Sequence, residues 1–192
     1  MIGHKRPMPC LCPIIPRVSF QDNHDYFGLY NPKHAFIIGL YNPINVQFGE
    51  KDTMKPTYDA YHELQLAYEH FNHSLFDGTL PNCLITLQRE KRSYGYFSPE
   101  RFVNRKGEVT DEIAMNPAYF AICPPEEIMQ TLVHEMCHLW QYHLGKPGRR
   151  SYHNREWAKK MLSVGLIPSD TGKEGGKQTG EKMADYPEVG GR

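Results

Sequence analysis

The sequence lacks the usual features of a membrane protein or a disulfide-stabilised protein. No uninterrupted apolar run approaches the roughly 20 residues that a membrane-spanning helix needs, so no membrane partner is expected. The five cysteines are scattered and odd in number, which argues against a disulfide framework and for a reducing compartment. Prolines at 7, 9, 13 and 16 interrupt the N-terminal stretch where a signal peptide would be apolar. We therefore expect a cytoplasmic protein.

The chain also lacks net charge of either sign. Its 22 basic residues balance 22 acidic residues, and the formal net charge is +0. This balance excludes a global attraction to nucleic acids or acidic membranes, although local basic patches remain compatible with it. Apolar residues make up 40% of the chain and the mean hydropathy is -0.61. These values predict one core of ordinary size beneath a large polar surface.

Composition divides the chain into three regions. Residues 1–53 contain many prolines and no helical period, and we predict a poorly ordered N-terminal extension with one candidate strand at 35–41. Residues 54–168 are well patterned and are predicted to form the folded domain. Residues 169–192 are rich in Gly and Lys and are predicted to form a flexible C-terminal tail.

Helical periodicity is clear in three places within the predicted domain. Apolar side chains recur at helical spacing over about 57–75, which predicts an amphipathic first helix. A mostly buried helix is predicted from about 124 to 143, because Pro-Pro-Glu-Glu suits a first turn and Gly145 ends the pattern. A shorter helix is predicted over about 154–164.

Three short strands are predicted between the first two helices. They span about 85–88, 94–98 and 112–116, and the turn at 104–107 indicates a hairpin between the last two. The expected fold class is therefore α+β, with a small three-stranded sheet packed on the first helix and on the helix over 124–143.

The predicted buried helix carries the most informative motif in the chain. His134 and His138 lie one turn apart on the same face, because each residue turns a helix by about 100°. This spacing lets two imidazoles bind one zinc ion. Glu135 lies beside them, where it can take a proton from a water molecule that the metal activates. The sequence His-Glu-x-x-His therefore predicts a catalytic metal site.

Catalytic zinc usually has three protein ligands, and the geometry leaves the third one open. His143 lies five residues beyond the second histidine and points elsewhere around the helix. His153 follows a loop long enough to return it to the site. Glu156 and the distant His70 and His73 are the other possible ligands.

The motif and its surroundings resemble the SprT-like zinc metallopeptidase domain. The resemblance rests on residues 134–138, on Tyr-His-Asn-Arg-Glu-Trp at 152–157 and on matching pieces upstream, so it covers about 57–165. It extends to Thr-Gly-Glu-Lys-Met at 179–183, which resembles bacterial and phage members. In that family the third ligand is a histidine in a His-Gly-Pro-Glu-Phe-like segment, which implies His153 here. Asn154 and Arg155 depart from the Gly-Pro of the Spartan proteases.

The resemblance implies a zincin-like fold and a zinc-dependent endopeptidase. His134, His138 and His153 would hold Zn²⁺, and Glu135 would act as the general base. Because the family includes proteases that degrade proteins crosslinked to DNA, it also implies protein substrates associated with DNA and a part in DNA repair. The alternative interpretation is a non-catalytic DNA-binding or adaptor protein with a structural zinc site. The sequence indicates no oligomeric state.

Basic side chains cluster just after the motif, which suggests a weak DNA-binding surface. The cluster comprises Lys146, Arg149, Arg150 and Arg155. Tyr152 lies among them, as in surfaces that bind single-stranded DNA. Ordinary solvated charge explains the same residues equally well in a neutral molecule.

The sequence also suggests residues for two further roles. Residues 112–116 are the candidate strand edge that would align a substrate by main-chain pairing. Tyr152 and Tyr186 are the candidates for a side chain that stabilises the oxyanion.

Overall fold

The computed structural model describes residues 55–188, and the structural statements below concern this range. The expectations for residues 1–53, including the candidate strand at 35–41, lie outside it. Within the described range the protein is α+β, with three helices and two small sheets. The predicted fold class is confirmed at this level.

Helix α1 spans Pro56–Phe76 and confirms the first predicted helix. Proline suits the first turn, where its missing N–H is not needed. The helix ends where Asp77 adopts a left-handed conformation with φ 55°, and the Gly78 N–H donates to the Asn72 carbonyl at 2.8 Å. Its inward face buries residues that recur every three or four positions: Ala60, Leu64, Ala67 and Tyr68.

The first sheet contains β1 (Leu84–Leu87), β2 (Gly95–Val103) and β3 (Val109–Met115) in the order β1-β3-β2. Strand β3 runs parallel to β1 and antiparallel to β2. The predicted turn at 104–107 joins β2 to β3, with the Gly107 N–H donating to the Asn104 carbonyl at 3.0 Å. One prediction is wrong. Strand β3 is central, so the main chain of 112–115 is engaged on both sides and cannot pair with a substrate.

Strand β2 forms an edge of this sheet and contains a bulge. Ser98 pairs with Glu112 and Phe102 pairs with Thr110, so residues 99–101 lie opposite the single residue Asp111. Glu100 in the bulge has a positive φ of 51°. The Asp111 carboxylate holds this conformation by accepting a hydrogen bond from the Glu100 N–H at 2.7 Å.

Helices α2 (Pro125–Leu144) and α3 (Arg155–Ser163) complete the helical layer and confirm the other two predicted helices. Ile113 and Met115 project from the same face of β3, because side chains alternate along a strand, and both join the helices in one apolar cluster. The α2 contribution to that cluster covers much of the helix circumference: Ile128, Leu132, Val133, Met136, Cys137 and Leu139.

The C-terminal part of the described chain forms a second, two-stranded sheet. Strand β4 (Leu166–Ser169) pairs antiparallel with β5 (Ala184–Pro187). Met183, just before β5, is fully buried in the main core. The prediction of a flexible tail is therefore wrong for residues 169–188. The Gly-rich composition belongs to the connection between two short strands, and burial of Met183 fixes the far end of that connection.

Within residues 55–188, no helix combines the length and apolar character needed to cross a bilayer.

Candidate metal centre

Helix α2 presents the first two histidines and the glutamate from a buried position. His134 and Glu135 are 2% and 1% exposed, because the apolar side chains around them pack the helix against the sheet and α3. Close packing of β2 on this helix depends on Gly95. A Cβ atom there would lie 2.9 Å from both the Ala114 carbonyl and Thr131 Cγ2, and 3.5 Å from Glu135 Cγ.

The third histidine, His153, is positioned by the start of α3. Asn154 caps that helix by accepting a hydrogen bond from the Trp157 N–H at 3.0 Å. The Gln141 side chain on α2 donates to Asn154 Oδ1 at 2.8 Å and to Glu156 Oε2 at 2.9 Å. These bonds tie α3 to α2, and His153 lies at the junction, 2% exposed.

The three histidines meet at one point. Each offers a ring nitrogen, and these nitrogens lie within 4.8 Å of one another. The ring centroids of His134 and His138 are 5.2 Å apart, and His153 lies 5.6 Å and 4.8 Å from them. The buried Trp157 ring stacks on His138 with a centroid distance of 5.3 Å and an interplanar angle of 19°. One metal ion between the rings would contact all three.

The other residues that the sequence offers as the third metal ligand lie away from the three-histidine group. Glu156 Oε2 accepts a hydrogen bond from the Lys146 N–H at 2.6 Å and therefore anchors the loop between α2 and α3. His143 pairs with Asp111 at 2.6 Å. His70 and His73 are exposed on α1, and neither belongs to the three-histidine group.

Two of the histidine rings are held by acceptors that sequence reasoning missed. His134 Nδ1 lies 2.8 Å from Asp185 Oδ2, 51 residues away along the chain. His153 Nδ1 lies 3.0 Å from the Gly180 carbonyl oxygen. With both Nδ1 atoms engaged in this way, Nε2 of each ring remains for a metal ion. The sequence offered one signal for Asp185: a histidine that binds a metal through one ring nitrogen generally needs an acceptor for the other.

The surroundings control the charge of these rings. Burial, followed by the nearby His153 and His134, holds the pKa of His138 well below its usual range. Burial and the proximity of His134 lower the pKa of His153 to about 3. Burial also opposes a charge on His134, but the hydrogen bond with Asp185 and the Glu135 carboxylate outweigh it and raise that pKa. His138 and His153 are therefore neutral at physiological pH, the state in which imidazole binds a metal.

A cleft opens beside the histidines. Glu135, His138 and His153 form part of its lining. Phe97 and Pro99 from the edge strand β2 form one wall. The loop between α2 and α3 and the end of α2 supply the remaining lining residues: Gln141, Tyr142, Pro147, Gly148, Arg149, Ser151 and Tyr152. Glu135, His138 and His153 therefore line the same cleft as residues of the edge strand β2.

Other residues singled out from the sequence have definite places. Tyr152 lines the cleft, whereas Tyr186 on β5 is absent from the lining. Cys137 is fully buried in the core, and burial raises the pKa of its thiol, so it is an inert packing residue.

The basic cluster lies next to the cleft along the chain, and Arg149 is the member that lines it. Lys146, Arg149, Arg150 and Arg155 are all exposed. The Arg149 guanidinium lies 5.0 Å above the Tyr152 ring and pairs with Glu181 at 2.8 Å. Lys146, Arg149 and Arg150 lie in the loop between α2 and α3, and Arg155 is the first residue of α3.

Comparison with known proteins assigns the chain to a family. Over 59 residues it is 61% identical to an uncharacterized protein in the mucB 3' region of Salmonella typhimurium, an alignment that covers 30% of this chain and 80% of that relative. Residues 64–173, more than half of the chain, match the model of the SprT-like family. This range contains the helix with the motif and all three histidines, and the chain belongs to the SprT-like family.

Proposed function

We propose that this protein is a zinc-dependent endopeptidase of the zincin type, which hydrolyses peptide bonds in protein substrates. The observation that carries the proposal is the meeting of His134, His138 and His153, of which the last two line a cleft together with Glu135. Membership in the SprT-like family supports the same conclusion.

The donor set fits zinc. Three histidine nitrogens with one position left for water or substrate form a common ligand set of catalytic zinc sites. Neutral His138 and His153 suit such an ion, and the acceptors on Nδ1 of His134 and His153 leave Nε2 of both rings for it. When bound, zinc would lower the pKa of a water molecule to about 7 and polarise the carbonyl of the substrate.

Glu135 supplies the proton chemistry. Its carboxylate is nearly inaccessible to bulk solvent and borders the cleft next to His138. From this position it would accept the proton of the attacking water and then pass it to the leaving amine.

Strand β2 is the best-supported site for alignment of a substrate. It is an edge strand, and its residues Phe97 and Pro99 line the cleft beside Glu135. An extended peptide that pairs with β2 would run along the cleft past the metal site. This assignment replaces residues 112–116, whose main chain lies inside the sheet.

The central test replaces Glu135 with Gln. We expect the variant to retain one equivalent of zinc and to lose cleavage of an unfolded protein such as casein by about 10²–10⁴-fold, because it lacks the proton acceptor. Glu126→Gln on the exposed face of the same helix is the matched control and should retain both properties. Cleavage by Glu135→Gln at the wild-type rate would refute the assigned base. Zinc binding without proteolysis in the wild type would favour a structural zinc site in a non-catalytic protein.

We further propose that the substrates include proteins bound or crosslinked to single-stranded DNA. Support comes from the exposed basic residues Lys146, Arg149, Arg150 and Arg155, and from Arg149 and Tyr152, which line the cleft and contact each other. Each phosphate contact contributes about -0.7 to the slope of log affinity against log salt for single strands. A slope near zero for the wild type would exclude DNA as a partner. If the slope is substantial, Arg150→Gln and Arg155→Gln should each reduce it.

A further inference from the structure

Two ligand histidines are held by one short stretch of chain that lies outside the residues matched by the family model. The matched region ends at residue 173. Gly180 and Asp185 lie beyond it, yet they provide the acceptors for His153 and His134. We propose that the 180–185 segment is the positioning segment of the metal site and sets its zinc affinity. This inference rests on the proposed function, because it requires that the histidines bind zinc.

The contact with His153 consists of three hydrogen bonds to Gly180. The main chains of His153 and Gly180 form an antiparallel bridge, with N–H to carbonyl distances of 2.8 Å and 3.1 Å. The Gly180 carbonyl also lies 3.0 Å from His153 Nδ1. Both the backbone position and the ring orientation of His153 are therefore fixed by one residue of the segment.

The contact with His134 uses a buried carboxylate. The Asp185 side chain is 7% exposed and its oxygen lies 2.8 Å from Nδ1. A buried charge is costly unless it is paired, and well-packed apolar residues often stabilise a fold more than a buried ion pair does. The presence of a carboxylate here is therefore explained better by its action on the His134 ring than by a contribution to the stability of the β4–β5 sheet.

Burial of Met183 links the two contacts. This side chain is fully buried in the main core between Gly180 and Asp185. It fixes the segment to the same packing unit as α2 and α3. His134 lies in α2 and His153 lies just before α3, and the segment supplies the acceptor for Nδ1 of both rings. Its removal would take the Nδ1 acceptor from both rings.

The test measures zinc affinity by competition with a chelating dye. Acceptors on the second nitrogen of a ligand histidine typically change metal affinity by about 10–100-fold. We expect Asp185→Ala to weaken zinc binding toward the upper end of this range. Asp185→Asn should have a smaller effect, because its amide oxygen still accepts from Nδ1–H. Glu188→Gln, which removes an exposed carboxylate just after β5, should bind zinc like the wild type.

A second measurement separates ring positioning from folding. In the zinc-free protein, nitrogen chemical shifts of His134 report which ring nitrogen carries the proton. The wild type should carry it on Nδ1, and Asp185→Ala should lose this preference while its thermal unfolding stays cooperative. Hydrogen exchange at the Gly180 and His153 amides should slow when zinc binds the wild type, since coupling between two sites is reciprocal.

The outcomes distinguish this inference from the proposed function. Failure of the wild type to bind zinc would refute the proposed function and remove the basis of the inference. Wild-type zinc affinity in Asp185→Ala, or amide exchange at Gly180 that zinc leaves unchanged, would refute the inference alone. If Asp185→Ala fails to fold, Asp185→Asn takes its place: a zinc affinity below that of the wild type supports the inference, and an affinity equal to that of the wild type with an unchanged His134 tautomer refutes it.

Discussion

Helix α2 carries two histidine–aspartate pairs that are chemically alike and serve different purposes. His134 and Asp185 lie 2.8 Å apart, with side chains 3% and 7% exposed. His143 and Asp111 lie 2.6 Å apart, with side chains 35% and 8% exposed. The two histidines are nine residues apart, so they point to nearly opposite sides of the helix.

The position of each pair decides its role. The His134 ring is enclosed with two other imidazoles, so its aspartate orients a candidate metal ligand. The His143 ring lies near the surface at the helix end, and its partner Asp111 also accepts from the Glu100 N–H in the β2 bulge. The second pair therefore joins the end of α2 to the sheet. The same hydrogen bond supports a site in one place and a helix contact in the other.

The sharpest way to break the comparison is to remove each histidine separately. We expect His134→Ala to abolish stoichiometric zinc binding and proteolysis. In the wild type, zinc at 100 times its Kd should raise the stability by about 2.7 kcal/mol, and this increase should be absent in the variant. Calorimetry with and without a chelator measures zinc binding and the increase in stability, and casein cleavage measures proteolysis.

His143→Ala is the matched control for that experiment. We expect it to keep zinc binding and to lose about 1 kcal/mol of stability, because a half-exposed pair contributes little and Asp111 keeps its bond with Glu100. Loss of zinc in this variant would show that the two pairs do not have separate roles.

Packing of the part of α2 that carries Glu135 can be disturbed at Gly95. In Gly95→Ala the new Cβ would meet the Ala114 carbonyl and Thr131 Cγ2 at 2.9 Å. We expect a loss of about 1–3 kcal/mol from overpacking, together with reduced proteolysis because Glu135 lies on the same contact. Thermal unfolding and casein cleavage are the measurements.

Thr131→Ala provides the control for Gly95→Ala, because it removes one of the two clashing groups. The double variant should recover part of the lost stability. Equal stability of the Gly95→Ala variant and the double variant would place the conflict at the Ala114 carbonyl alone.

The role of the His143–Asp111 pair can be tested by removing its carboxylate. Asp111→Ala removes the partner of both His143 and the Glu100 N–H, and leaves a strained residue without its acceptor. We expect a loss of about 1–3 kcal/mol, larger than for His143→Ala, with zinc affinity unchanged. Urea unfolding and dye competition check the two parts. A zinc affinity that fell as far as it does in Asp185→Ala would contradict the division of roles.

The smallest expected effect is a dependence of stability on pH that comes from Glu63. It must be measured before the two histidine–aspartate pairs are compared at different pH values. Burial, followed by the nearby Asp59 carboxylate, raises the pKa of Glu63 to about 7. Because the folded pKa exceeds the unfolded one, this group's contribution to stability is fully present below about pH 4.5 and is lost as pH rises through about 7.

Glu63→Gln should therefore raise the melting temperature at pH 8 and leave it nearly unchanged at pH 5. The carboxyl group is only half-buried, so we expect a gain on the order of 1 kcal/mol after allowance for solvent screening. Asp59→Asn, which removes the secondary cause, should give a smaller gain in the same direction. An equal effect at both pH values would contradict the raised pKa.

The sequence predicted the helices and part of the site because those features are local. His134, Glu135 and His138 follow from a spacing within one helix, and α1 and α2 follow from apolar periodicity. His153 required the resemblance, since a loop separates it from the motif. The predicted pairing of β2 with β3 also held, because a short turn joins them.

The remaining features depend on contacts between distant parts of the chain. The central position of β3 arises from its parallel pairing with β1, and no local pattern encodes that order. Asp185 and Gly180 reach the site across 51 and 27 residues. Strands β4 and β5 have four residues each, too few for a periodic signal, and the Gly-rich stretch between them resembles a flexible tail by composition alone.

The bulge in β2 has a consequence for how a substrate would be cut. Pro99 has no N–H, and Glu100 leaves the extended conformation, so the regular hydrogen-bonding edge ends after Ser98. A peptide paired with the preceding residues, 95–98, has about 13 Å of edge available. A longer extended chain could shift by two residues along this edge and keep the same number of main-chain hydrogen bonds, because only its main chain pairs. Such pairing would place little demand on the sequence of a substrate, and locally unfolded proteins of many kinds would be suitable.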